Sequence, residues 1–261
     1  MGVVQPAAND AVVALPFAGK VAIVTGGTRG IGAAITLELA RLGAHVAAGF
    51  NRDTESATQL RTDLTAQGSS ISVHQGNVGV PEDCMRVVDE VLRAQGRVDY
   101  LVNNAGITID KTVRKMTLED WHAVLLINVS GAFYMVKAVL DHMLERGSGR
   151  IVNVSSVIGQ TGSIGQANYA ASKAALLGLT QSLALETARK GITVNCVAPG
   201  FIETEMVAAI PQPILDTIIE KVPLRRLGQP YEVARVVRFL LEEDSSYITG
   251  SIYTVNGGLF T

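Results

Sequence analysis

The chain has 261 residues, 48% of them hydrophobic and 18% charged, with 26 glycines and a formal net charge of -2. This length and apolar content fit one large α/β domain with many tight turns, and the near-neutral charge excludes a nucleic-acid reader built on a basic field. No apolar run is long enough to span a membrane, and Cys84 and Cys196 lack C-x-x-C spacing, so they read as free buried thiols of a reducing, cytoplasmic compartment.

Residues 1–18 carry neither the basic start nor the apolar stretch of a signal peptide. With Pro6 and Pro16 as breakers, they read as a flexible extension ahead of one domain over 19–261. Val21–Val24 is a short apolar run expected to form a buried parallel strand. It leads into Thr25-Gly26-Gly27-Thr28-Arg29-Gly30-Ile31-Gly32 and then a helical pattern to about Leu42. Strand, glycine-rich turn and helix is the setting of a dinucleotide site. Gly26, Gly30 and Gly32 let the backbone approach a pyrophosphate, and the helix N-terminus offers partial positive charge. The spacing is G-x-x-x-G-x-G, and glycines also serve plain turns.

The second strand is expected over 44–50. An NAD site carries an acid near this strand's end to bind the ribose 2′-hydroxyl. Here Phe50 is followed by Asn51 and Arg52, and Arg29 lies in the glycine turn. Two arginines suit a ribose 2′-phosphate, hence NADP(H). The competing reading makes Arg52 a solvated charge and Asp53 either the ribose acid or a helix N-cap. A polar helix over 54–67, a strand at Ile71–Gln75 and a helix over 81–95 follow, the last with Met85, Val88, Val91 and Leu92 on its apolar side. A fourth strand ends in Asn103, Asn104, Ala105 and Gly106. A long helix over 121–144 then places Asn128 in apolar surroundings, where its amide needs a partner: a backbone group, or a water bridging to Lys173.

The run 151–156 reads as a buried strand ending in Ser155 and Ser156. Tyr169 and Lys173, four apart, share one face of the next helix. A strand end beside a helix face is where an open α/β sheet places its ligand, so Ser156, Tyr169 and Lys173 are expected to converge. One ammonium about 4 Å from a phenol, at an effective dielectric near 20, supplies about 4 kcal/mol. That is roughly what brings a phenol from a pKa of about 10 to near 7. Lys173 is therefore expected to lower the Tyr169 pKa and make it a proton donor and acceptor, with Ser156 bonding the oxygen that receives the proton. The plain alternative has Tyr169 packed and Lys173 solvated. A strand over 192–198 stops at Pro199-Gly200. The stretch 201–227, with Pro211, Pro213 and Pro223, reads as a mobile helical lid, and a helix over 230–242 and a strand over 251–256 complete the chain. The alternation predicts a single doubly wound (Rossmann) parallel sheet with helices on both faces. His45, His74, His122 and His142 are scattered without metal-ligand spacing.

Six pieces together resemble the short-chain dehydrogenase/reductase family from about residue 18 to 261: Thr25-Gly26-x-x-x-Gly30-x-Gly32, Asn103-Asn104-Ala105-Gly106, Asn128, Ser156, Tyr169-x-x-x-Lys173 and Pro199-Gly200. The resemblance implies Tyr169 as acid/base, Lys173 as its pKa modulator and ribose ligand, Ser156 orienting the substrate carbonyl and Asn128 holding a relay water. It places Gly26, Arg29, Gly30, Ile31, Gly32, Asn77, Val78, Asn104, Ala105, Gly106, Pro199, Gly200, Ile202 and Thr204 along the cofactor, beside Asn51 and Arg52. Asn77 departs from the aspartate usual there; an amide keeps one acceptor and adds donors toward the adenine.

Within the family the chain is similar to bacterial 3-oxoacyl-acyl-carrier-protein reductases at Gln166-Ala167-Asn168-Tyr169, 199–204 and 247–250. It is similar to acetoacetyl-CoA reductases at 75–78, 114–117 and Asp120-Trp121. Those likenesses imply NADPH-dependent reduction of a 3-oxoacyl thioester carried by acyl carrier protein or coenzyme A, in a homotetramer. Gln160 and Gln166 are candidates to hydrogen-bond the substrate, against a plain role as turn polarity. Lys137, Arg150, Arg189, Lys190, Arg225 and Arg226 are candidate rim cations. A sugar, polyol or steroid reductase of the same family is the alternative. A cofactor-binding regulator without chemistry is the reading from another class, and the presence of all four tetrad residues speaks against it.

Overall fold

The computed structural model describes residues 15–208 and 210–260. Seven strands form one parallel sheet: β1 (Val21–Val24), β2 (His45–Phe50), β3 (Ile71–Gln75), β4 (Tyr100–Asn103), β5 (Gly149–Val154), β6 (Ile192–Pro199) and β7 (Ile252–Val255). Their order across the sheet is β3-β2-β1-β4-β5-β6-β7. The chain therefore builds outward one way from β1, then returns to build the other way from β4. The crevice between the ends of β1 and β4 is the switch point at which such sheets bind ligands.

Successive residues of β1 face opposite sides. Ala22 and Val24 join a core with α1 (Gly30–Arg41) and α10 (Pro230–Leu241), through Ile35, Leu39, Val233 and Val237. Val21 and Ile23 join a second core with α3 (Pro81–Gln95), α5 (Gly131–Arg146) and α7 (Ala167–Thr187), through Val88, Val91, Met135, Val139 and Leu183. The expected doubly wound sheet with helices on both faces is the fold observed.

Three local expectations change. Residues 15–18 are part of the folded body: Phe17 is buried, its N–H bonds Leu42 O at 2.9 Å and its ring meets Tyr100 edge-on, centroids 5.4 Å apart. The rest of the expected extension lies outside the described residues. Met85 is exposed; Val88, Val91 and Leu92 pack on the core as expected, joined by Cys84 and Val87. The helix expected over 121–144 is α4 (Leu118–Leu125), a π-turn at Leu126–Ser130, and α5. That continuous 29-residue rod has the length and composition of a membrane span, yet Val124, Asn128, Met135, Val139 and Met143 are buried in the packed protein.

Candidate active site

The glycine turn is shaped for close approach. Arg29, at the N-cap of α1, has an extended backbone and gives no side-chain cap, and no acid stands in the first turn. A Cβ on Gly32 would run into the Gly26 carbonyl, and Gly26 and Gly30 hold φ of +60° and +54°, where side chains are strained. Thr25 Oγ1 accepts from the N–H groups of Asn104 and Ala105, both at 3.0 Å. Asn104 Nδ2 returns to the carbonyls of Thr25 and Gly26, also at 3.0 Å. The Asn104 amide therefore braces the turn. The uncapped helix start and side-chain-free cradle fit a pyrophosphate.

Farther along the crevice, Asp53 is the N-cap of α2 (Thr54–Ala66): its carboxylate accepts from Ser56 N at 3.0 Å and Ser56 Oγ at 2.7 Å. Those bonds, backbone first, hold its carboxyl below the usual range. Of the roles open to Asp53, the cap is the one observed. Asn51 and Arg52 are exposed at the end of β2. Arg29 Nη1 lies 3.6 Å from Glu205 in the one-turn α8 (Glu205–Ala208), linking the glycine turn to the stretch expected as a lid. That stretch also holds α9 (Gln212–Lys221). The Asn77 Oδ1 accepts from Gly79 N at 3.0 Å, which leaves one of its lone pairs and the Nδ2 donors toward an adenine. Val78 packs where a Cβ on Gly131 would stand. Beyond Pro199, Gly200 N bonds Val255 O, Ile202 is buried, and a Cβ on Gly30 would stand 3.5 Å from the Thr204 methyl.

The structure brings Asn128, Ser156, Tyr169 and Lys173 together at the ends of β4 and β5. Lys173 is fixed at both ends: Ser155 Oγ donates to its carbonyl at 2.7 Å, and its Nζ donates to Val154 O at 2.8 Å. The Nζ lies 5.7 Å from the centre of the Tyr169 ring, and the Ser156 hydroxyl, which accepts from Ile158 N at 3.2 Å, stands near enough to the phenol to lower its pKa. Asn128 takes the first of its expected partners: Oδ1 accepts from Ile107 N at 2.8 Å, while Nδ2 donates to Ile107 O at 3.0 Å and Ser172 Oγ at 2.9 Å. Gly106 lets this group close up, since a Cβ there would stand 3.3 Å from Asn128 Oδ1 and 3.4 Å from Lys173 Nζ.

The electrostatics reverse one expectation. Burial pushes the Tyr169 phenol above its ordinary pKa, the Ser156 hydrogen bond offsets part of that, and the Asp110 charge adds to it. Burial also lowers the Lys173 ammonium to about 8, against a small opposing effect of Cys196. Desolvation is the largest influence on both groups, and the expectation, which counted Coulomb attraction alone, left it out. Near neutral pH this pair is a phenol and a reluctant ammonium.

Gln166, the N-cap of α7, donates its amide to Asp110 at 3.2 and 3.0 Å. Gln160 lies in α6 (Ile158–Thr161), with its Oε1 buried and, among the described residues, without a partner. The rim cations mostly fall away. Arg150 opens β5, bonded to the carbonyls of Gly149 and Gly191, and Arg189 and Lys190 precede β6, all at the end of the sheet opposite the site. Arg226 is paired with Glu232. Sequence reasoning missed the supporting groups Thr25, Ser155, Asn168 and Ser172. Their common signal is a short polar side chain inside an otherwise buried stretch next to a named residue.

The pattern of the short chain dehydrogenase family matches residues 20–214. The acetoacetyl-CoA reductase of Rhizobium meliloti is 48% identical over 242 residues, 92% of this chain and 98% of the relative. The acetoacetyl-CoA reductase of Shinella zoogloeoides is 46% identical with the same coverage. The 3-oxoacyl-acyl-carrier-protein reductase of Thermotoga maritima is 43% identical over 241 residues, 92% of this chain and 98% of the relative. A sheet with a nucleotide crevice at its switch point and a Ser, Tyr and Lys beside it defines an oxidoreductase acting between C=O and CH–OH groups with a nicotinamide cofactor. The chain belongs to the short-chain dehydrogenase family.

Proposed function

We propose that this chain reduces a 3-oxoacyl thioester to the 3-hydroxyacyl thioester with NADPH. The observation that carries the reading is the convergence of Ser156, Tyr169 and Lys173 at the end of β5, beside a glycine turn that no side chain caps. The thioester itself comes from the relatives, whose names divide between coenzyme A and carrier-protein substrates.

The nicotinamide, when bound, supplies hydride. Gly26, Gly30, Ile31 and Gly32 seat the pyrophosphate. Asn51, Asn77 and Val78 form the adenosine end, and Ala105, Gly106, Pro199, Gly200, Ile202 and Thr204 line the rest. Ser156 donates to the substrate's oxo oxygen and Tyr169 gives it the proton. Lys173, ordered by Val154 O, keeps a positive charge available near the phenol and reaches toward the ribose. Both ends of the Asn128 amide are engaged, so any relay water it serves is bound through its backbone in the π-turn. Gln160 donates its side-chain N–H toward the oxo or thioester carbonyl, its buried Oε1 facing inward. The stretch 201–227 closes over the substrate. Exposed Leu126, Phe133 and Leu185 support assembly into the homotetramer, and the free buried Cys84 and Cys196 suit the cytoplasm.

NADPH is favoured because Asp53 is engaged as a cap, leaving exposed Arg52, and Arg29 once it gives up its 3.6 Å pairing with Glu205, to meet a 2′-phosphate. Losing one such contact costs about 1.5–3 kcal/mol, so Arg52→Ala should raise the NADPH Michaelis constant about 10- to 150-fold and spare NADH. Equal use of both cofactors by the wild type would end the NADPH assignment. For the substrate, kcat/KM for acetoacetyl-CoA and acetoacetyl-carrier protein is to be compared at two salt concentrations. Turnover of neither would reject the thioester reading.

A further inference from the structure

Asp110 lies in the loop that leaves β4, outside the groups used above. Its carboxylate accepts from Gln166 Nε2 at 3.2 and 3.0 Å, and from the Thr108 hydroxyl. Gln166 stands three residues before Tyr169, one turn away on the same helix face. The loop is tied to the start of α7 twice more: Lys111 N donates to Gly165 O at 2.8 Å, and Asn168 Nδ2 to Ile109 O at 3.1 Å. Asp110, itself exposed, is thereby held against the first turn of the helix that carries Tyr169. The adjacent cation is engaged elsewhere, with Lys111 Nζ 2.7 Å from Asp120. Among the described residues no Lys, Arg or His nitrogen lies within ion-pair distance of Asp110. Behind burial and the opposing Ser156 bond, its charge is the remaining influence on the phenol, holding it protonated.

We propose that Asp110 is a specificity-determining residue, an uncompensated negative charge fixed beside the reacting carbonyl that admits 3-oxo compounds with a neutral thioester or ester at C1 and turns away the free 3-oxo carboxylates. The inference rests on Tyr169 being the group that meets the carbonyl. In a 3-oxo acid the carboxylate carbon is two bonds from the reacting carbon, so its charge enters the site together with the carbonyl that meets Tyr169. In the thioester that position is neutral, and the phosphates of coenzyme A sit at the far end of a long arm. Hydrolysis of the substrate yields this free acid, so the filter keeps a breakdown product from competing. Like charges separated by about one Debye length at a protein surface discriminate by about 3- to 30-fold.

The test compares kcat/KM for acetoacetate and for ethyl acetoacetate in wild type, Asp110→Asn and Asp110→Glu. Asparagine keeps an acceptor for Gln166 and removes the charge; glutamate keeps the charge. The acetoacetate-to-ester ratio should rise at least about 3-fold in Asp110→Asn, less so at high salt, and hold in Asp110→Glu. Should the asparagine variant fail to fold, Asp110→Ser carries the same expectation. A second readout needs no turnover: ultraviolet titration of the phenol without cofactor, its signal identified by loss in Tyr169→Phe. The titratable groups facing that phenol are Lys173 from α7 and Asp110, with the Lys111–Asp120 pair farther out, and only Asp110 changes. Ionisation should move to lower pH by about 0.5–1 unit in Asp110→Asn. An unmoved ratio together with an unmoved titration overturns the proposal. If either moves while wild type reduces no thioester, the filter stands and the thioester reading fails.

Discussion

Asp99 and Lys173 are each 4% exposed, at opposite ends of the same sheet. Asp99, at the N-terminal ends of the strands, accepts from Arg97 Nε and Val21 N at 2.8 Å and from Arg146 at 3.2 Å. Burial pushes its carboxyl up, but those bonds and the two guanidinium charges outweigh it and leave the pKa below the ordinary value. Lys173 receives one carbonyl and, among the described residues, no carboxylate within ion-pair distance, so burial drives it down to about 8. Equal burial thus has opposite consequences. A satisfied charge closes one end of the sheet, and an unsatisfied one is kept at the end where a ligand enters.

The comparison breaks most visibly at Tyr169. Tyr169→Phe removes the proton and leaves the ring, so turnover should fall about 10²- to 10⁴-fold while cofactor still binds. Near-native turnover of the purified variant would remove the upper end's claim to chemistry. Asp99→Ala should instead leave kcat close to wild type in the folded fraction and cost about 3 kcal/mol of stability, because Arg97, Arg146 and Val21 N lose their common acceptor. Denaturant melts give that number. The Asp99 contribution is present above the unfolded carboxyl pKa and lost as pH falls through the depressed folded value, so the variant and wild type should converge in strong acid.

Lys173→Met has the smallest expected effect on stability, with the opposite sign. A lysine lowered from 10.5 to about 8 binds fewer protons folded than unfolded between those values, so wild-type stability rises with pH across that window and is penalised below it by roughly 3 kcal/mol. Methionine removes the penalty but leaves Val154 O without its donor, at about 1–3 kcal/mol. At pH 7 the inactive variant should therefore melt a few degrees higher than wild type, by about 1 kcal/mol, and the advantage should shrink toward pH 10. A variant that melts lower at pH 7 would show that Lys173 is stabilised by groups other than those described.

Much of this was legible in the chain. Short apolar runs alternating with helical patterns fixed the parallel sheet, and Tyr169 and Lys173 met Ser156 because strand end and helix face are local features. The sign of the Tyr169 pKa was not legible, since it depends on how completely β5, α6 and α7 exclude water there. The π-turn at Leu126–Ser130 adds a residue to one turn, which a periodicity read over the whole helix absorbs. Phe17 was passed over because an isolated aromatic after Pro16 carries no period; its partner Tyr100 is distant in sequence. Arg150 was misplaced despite an available signal, because a residue that opens a parallel strand lies at the end away from the ligand.

The strand order also sets a timetable for synthesis. β1 lies between β2 and β4, and its glycine turn is braced by the Asn104 amide, so the cradle cannot be secured until the ribosome has delivered residue 104. Ser156, Tyr169 and Lys173 follow it in the chain, as do Thr204, which stands against Gly30, and α10, which packs on α1, so the cradle is braced before the proton donor exists and finished only after it.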